Sequence, residues 1–136
     1  MKREFFLPLL VVMSLLVVLI SAVSCQKQNK EYDAKITDLE SRIKFFEEKV
    51  DTGFYRDEKI EVVIKSHEDS QDLFKETMDY YSLHGRLKTN AEKKDQFSEV
   101  QNEKMNGLIE RIRLVTHYLD SLSESKLREL EAKLPA

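Results

Sequence analysis

The chain has no tryptophan, one cysteine, two prolines and three glycines in 136 residues. A lone cysteine cannot close an internal disulfide, and it offers no thiol pair for a structural zinc ion. Pro8 and Pro135 stand near the two ends, so no proline ring interrupts a helix between them. Three glycines are too few for a turn-rich fold of short strands. The three histidines, His67, His84 and His117, include no pair four apart on a helix, which a helical metal site would need. No glycine-rich phosphate loop and no G-x-S-x-G elbow is present. From Cys25 onward 20 Lys and Arg face 24 Asp and Glu, a net charge of −4 with no basic patch for a phosphate backbone. These absences exclude nucleic acid as the expected partner. They leave no expected catalytic residue, metal or cofactor, and the chain is read as a non-enzyme.

What is present begins with grease. After Met1-Lys2-Arg3-Glu4, the run from Phe5 to Ser24 holds 16 apolar residues in 20 and no charge. An export signal has a basic start, an apolar stretch and small residues at its cut, whereas a spanning helix needs about 20 apolar residues. Length alone fits both. The end of the run is more specific: Ser21-Ala22-Val23-Ser24 places small side chains directly before Cys25.

Ala22, Val23, Ser24 and Cys25 resemble the lipobox of bacterial lipoprotein signal peptides, in its relaxed form. The commonest form has Leu three before the cysteine and Gly or Ala just before it, where this chain has Ala22 and Ser24. The resemblance covers residues 1–25 and implies cleavage between Ser24 and Cys25, with lipid (palmitate-type acyl chains) on the Cys25 thiol. At about 0.8 kcal/mol per buried methylene, more than one chain makes a durable anchor. Gln26 replaces the Asp that retains enteric lipoproteins in the inner membrane, so the resemblance favours an outer-membrane address if the cell is Gram-negative. The competing reading is an uncleaved single-span anchor with Cys25 at the membrane edge. Pro8 permits it, since membrane helices tolerate proline.

The remainder is helical by its spacing. Tyr32, Ile36, Leu39, Ile43, Phe46 and Val50 recur at steps of 4, 3, 4, 3, 4, the seam of a coiled coil. With Ile36, Ile43 and Val50 at a, the e positions are Asp33, Glu40 and Glu47, and the g positions are Lys35, Arg42 and Lys49. In a parallel pair Lys35 would meet Glu40 and Arg42 would meet Glu47 of a second copy, while an antiparallel pair would oppose like charges. The sequence thus offers Ile36, Leu39, Ile43, Phe46 and Val50, flanked by Lys35, Glu40, Arg42 and Glu47, as a self-association seam. The alternative packs the same seam on the chain's own later helices, which Phe45 at position c supports.

Asp51-Thr52-Gly53 predicts a turn, because glycine costs about 1 kcal/mol inside a helix and Asp and Thr favour caps. Asp-Thr-Gly is also the catalytic triplet of aspartic proteases, but there it lies between strands, and here it ends a helical run. A second helix over about 57–84 is expected to bury Ile60, Ile64, His67, Gln71, Phe74, Met78 and Tyr81, widened by Val63. For His67 a half-buried place on this stripe outweighs a metal site. Gly85 predicts the next break, with Thr89 or Asn90 as a cap. A third helix to about 122 carries Phe97, Val100, Met105, Leu108, Ile109, Ile112, Val115, Leu119 and Leu122. Leu127, Leu130 and Leu134 fall out of phase and predict a separate short helix.

The expectation is an all-α protein: a signal helix over 1–24, a tether over 25–31, a helical region over 32–122 with helices near 32–50, 57–84 and 90–122, and a tail over 123–136. The last two helices and the first form either an antiparallel bundle or an elongated coiled coil of about three helices. The expected function is that of a lipid-anchored bacterial envelope protein, a spacer or protein-interaction module with a periplasmic or surface-exposed ectodomain. Its expected partners are the membrane and another protein or a second copy. The alternative is a single-span inner-membrane coiled-coil protein, similar to small cell-division and phage spanin proteins.

Overall fold

A computed structural model describes residues 2–86 and 96–135, with the side chains of 2–7 and 20–27 outside the description. Among the described residues all regular structure is helical: α1 is Lys2–Asp51, a 3₁₀ turn follows at Phe54–Arg56, α2 is Ile60–His84 and α3 is Glu99–Ala132. The chain divides into two units, Met1–Ala34 and Lys35–Ala136.

The first unit is the leading part of α1. Pro8 lies inside the helix, where its missing N–H removes one ladder hydrogen bond. The expected tether over 25–31 is helical too. Nothing between Pro8 and Gly53 breaks a helix, and Gln, Lys and Glu are good helix formers.

In the second unit the rest of α1 packs along α2 and α3. Ile36, Leu39 and Ile43 are buried, while Phe46 and Val50 are half-buried. The turn after α1 is made by Gly53 in the left-handed region at φ 73°, which costs a residue without Cβ nothing. Tyr55 in the 3₁₀ turn is buried to the core. From α3, Lys126 Nζ donates to the carbonyls of Arg56 and Glu58, both at 2.8 Å, and so holds this turn against the far end of α3.

α2 buries a different face from the one its hydrophobicity suggests. Its buried residues are Val63, Ser70, Leu73 and Thr77, whereas Ile64, Gln71 and Met78 are exposed and Ile60, His67, Phe74 and Tyr81 half-buried. The reason is close packing: small residues on a helix let a neighbour approach. Their hydroxyls need no external partner, because Ser70 Oγ donates to the His67 carbonyl and Thr77 Oγ1 to the Leu73 carbonyl, each at 2.7 Å.

α2 ends at Gly85, where a Cβ would stand 2.6 Å from the Tyr81 carbonyl oxygen. The expected cap at Thr89 or Asn90 lies outside the described residues. α3 starts instead from Ser98, in a reciprocal capping box: Ser98 Oγ accepts from the Gln101 N–H at 3.1 Å, and the Gln101 side chain accepts from the Ser98 N–H at 2.8 Å. Phe97, ahead of the cap, is buried beside Tyr80 and His84, with ring centroids at 5.5 and 5.7 Å. Its N–H donates to the His84 carbonyl at 2.9 Å, and the Arg86 side chain donates to the Phe97 carbonyl.

Met105, Leu108, Ile112, Val115 and Leu119 form the buried stripe of α3, but Val100 is exposed. No separate helix begins after residue 122: α3 continues unbroken to Ala132, and Leu127, Leu130 and Leu134 are exposed. Their phase change carries them off the buried stripe without breaking the backbone, because Ser-Glu-Ser-Lys contains no helix terminator.

Candidate functional site

Two features stand as candidate sites, one in each unit. In the first, every large apolar side chain from Leu9 to Leu19 is exposed, between 48 and 64%. A helix apolar on all sides buries nothing against itself and calls for an apolar surrounding. Ser14 fits such a setting, since its hydroxyl donates to the Leu10 carbonyl at 2.9 Å and is satisfied within the helix. Among the described residues no helix is long and apolar enough to cross a membrane. The side chains on either side of this stretch, at 5–7 and 20–24, lie outside the description. So do the side chains of Ser24, Cys25 and Gln26. The backbone at Ser24 and Cys25 is helical, as part of α1.

The second feature is the seam of the other unit with its two charged rows. Two of the three basic g residues face α2, while Lys49 lies over the Phe45 and Phe54 rings. Lys35 Nζ lies 2.8 Å from Glu76 Oε1, and Arg42 grips both oxygens of Glu76 at 3.0 and 2.6 Å. Glu40 and Glu47 of the acidic e row face α3. Arg111 donates to both oxygens of Glu47, at 3.1 Å from Nε to Oε2, and reaches Glu40 at 3.4 Å. The fork of a guanidinium fits a carboxylate in this two-point manner. The Arg42 guanidinium, with Lys35 behind it, holds the Glu76 carboxyl at about 2, well below its ordinary value of 4.5. Glu76 in turn raises Arg42, and Glu47 raises Arg111, by charge-assisted hydrogen bonding.

Seven of the nine residues named for the self-association seam make contacts inside one chain, while Phe46 and Val50 are half-buried. Ile36, Leu39 and Ile43 are buried, and Lys35, Arg42, Glu40 and Glu47 meet Glu76 and Arg111 in place of a second copy. A second copy could reach the buried three only if the packing opened. The sequence pattern gives the right charges and the right faces. Spacing cannot say whether the complementary helix belongs to the same chain.

His67 sits half-buried at 3.9 Å from Asp120 Oδ1, beside a cleft of about 310 Å³ that also meets Phe74, Thr116 and His117. Among the described residues no group of three or more His, Cys, Asp or Glu could hold a metal ion. Burial pushes the Tyr55 hydroxyl above its ordinary pKa, a weak interaction with Ser66 opposing, and the oxygen lacks a well-formed hydrogen bond. Asp51 ends α1, and Thr52 Oγ1 donates to the Lys49 carbonyl at 3.3 Å, so the Asp-Thr-Gly triplet forms a helix end and a turn.

Sequence reasoning misses three of the residues that matter most: Glu76, Arg111 and Lys126. Glu76 and Arg111 are ordinary surface types whose role depends on which helix lies opposite. Ser98-Glu99-Val100-Gln101 carries a readable sign of the α3 start. Compared with known proteins, the chain matches no family model, no curated sequence and no solved structure.

Proposed function

We propose that the chain is a membrane-anchored lipoprotein of the bacterial envelope, held through Cys25, with a non-catalytic helical ectodomain that serves as a spacer or protein-interaction module. The observation that carries this reading is the exposed apolar helix surface from Leu9 to Leu19, which leads in the sequence to small residues and the only cysteine. In this reading residues 1–24 form the signal helix. The second unit is an up-down-up bundle of three helices, closed by the Glu76 and Arg111 clamps. The ectodomain faces the periplasm or the exterior, in the outer membrane if the cell is Gram-negative, and meets a protein partner or a second copy.

Intact mass of the native protein tests this directly. Loss of residues 1–24 with added acyl mass is the expected result, and Cys25→Ala should abolish lipid labelling. A chain that starts at Met1 with an unmodified thiol would sink the reading. One observation favours the alternative, a single-span inner-membrane protein with an uncleaved anchor: α1 runs helical through Ser24 and Cys25 without a break. At about 1.5 Å per residue the run from Phe5 to Ser24 would rise about 30 Å, the thickness of a bilayer core.

A further inference from the structure

Phe45 is a large apolar side chain that the bundle does not cover: it is 55% exposed, although its neighbour Phe46 packs edge-on against it at 6.1 Å. The two rings line a groove of about 550 Å³ between α1 and α2, together with Ser41, Arg42, Asp69, Asp72 and Leu73. This volume falls within the range of small-molecule sites, which pair an apolar lining with a few polar groups.

The charges around the groove decide what would enter. Arg42 is the only cation among the lining residues, and it is already taken by Glu76 and by Asp38, the latter at 3.3 Å. Asp69 is shared with the exposed Lys65 at 3.0 Å. Asp72 makes no ion pair among the described residues. An entering anion would meet two carboxylates and a spent guanidinium. A cation would meet carboxylates and two aromatic rings. Lys49 Nζ already lies 4.2 Å from the Phe45 centroid, so a ligand's positive charge belongs on the carboxylate side of the groove, away from that ring face.

Size separates a small ligand from a partner helix. The groove is lined over Ser41–Phe46 and Asp69–Leu73 only, about 8 Å along α1 and about 6 Å along α2. A docked amphipathic helix needs anchors from i to i+7, about 11 Å. We propose that this groove binds a small organic cation, an ammonium on an aryl or alkyl body, with the body against Phe45, Phe46 and Leu73 and the charge toward Asp72 and Asp69. This site stands independently of the lipid anchor.

The test uses the full chain in detergent micelles, phenethylammonium as the probe and 2-phenylethanol as its neutral counterpart, read by NMR shifts of the Phe45 and Phe46 rings and the Leu73 methyl groups. Partition of either probe into detergent does not produce saturable shifts at these three residues. The ammonium should bind about fivefold more tightly than the alcohol, the order of one screened, exposed ion pair with a carboxylate. Asp72→Asn should remove most of that preference and leave the alcohol unchanged. Phe45→Ala, at a position more than half exposed, should weaken both. Absence of saturable shifts with the ammonium, equal affinity for the two probes, or an ammonium affinity indifferent to Asp72→Asn or Phe45→Ala would each overturn the proposal.

Discussion

Replacing Glu76 with Gln removes the charge that Lys35 and Arg42 share and keeps the size of the side chain. Its effect is set by linkage. Glu76 titrates at about 2 in the folded chain against an ordinary 4.5, so the folded state holds its carboxylate ionised where the unfolded state takes up a proton. The stabilisation is complete above pH 4.5 and is lost as pH falls toward 2. Unscreened, that gap would correspond to about 3 kcal/mol. The Glu76 side chain is 38% exposed and Arg42 43%, so solvent screening reduces the expected contribution to about 1 kcal/mol. For a bundle of this size 1 kcal/mol shifts Tm by about 5 °C. Thermal unfolding monitored by circular dichroism should show Glu76→Gln melting about 5 °C below the parent at pH 7, with the two curves converging near pH 2. Added salt should shrink the gap at pH 7. A gap of equal size at pH 7 and pH 2 would assign the effect to packing, and no gap at pH 7 would show that the clamp contributes nothing. Either result refutes the argument.

Ile43→Ala, at a fully buried seam position, should destabilise by about 2–4 kcal/mol in urea unfolding, and an effect below 1 kcal/mol would place the seam outside the core. Gly107→Ala should stabilise by about 0.5–1 kcal/mol, because Gly107 is interior to α3 and an added Cβ meets nothing within 4 Å; a lower Tm would contradict the open space there. Gly85→Ala should destabilise by about 1–3 kcal/mol, since its Cβ would press on the Tyr81 carbonyl. Lys126→Met should cost about 1 kcal/mol and speed amide exchange in the turn at residues 53–58, through loss of two hydrogen bonds to backbone carbonyls.

How far the sequence could be read depended on how each face achieves its burial. The helical class follows from apolar spacing, and the turn at Gly53 and the break at Gly85 follow from the local backbone chemistry of glycine and cap residues. The seam of α1 and the buried stripe of α3 are faces filled with Ile, Leu, Val and Met, which hydrophobic periodicity detects. α2 departs from the expected stripe because two of its four buried residues are Ser70 and Thr77. A hydropathy pattern counts these as polar. In the folded chain they are small residues with their hydroxyls turned onto their own helix, and the larger Ile64 and Met78 are left at the surface. Periodicity reads which residues prefer to leave water, and α2 is placed instead by which residues let a neighbour come close.

The seam of α1 shows a second limit. An apolar stripe with bases on one flank and acids on the other satisfies a parallel dimer, in which each row meets its opposite on one partner. It equally satisfies a helix with two different neighbours, provided one offers an acid and the other a base. Here Glu76 of α2 answers Lys35 and Arg42, and Arg111 of α3 answers Glu47 and Glu40. Exchanging the two answers tests whether these clamps choose the neighbours. The double variant Glu76→Arg with Arg111→Glu places like charges opposite both rows, and each row loses its partner at once. The expected loss is larger than the sum of removing the two charges singly, because repulsion is added to lost attraction. Adding Arg42→Glu with Glu47→Arg should then recover most of the Tm. If the chain with only Glu76→Arg and Arg111→Glu melts as the parent does, the ion pairs are passengers on a bundle aligned by its apolar faces alone.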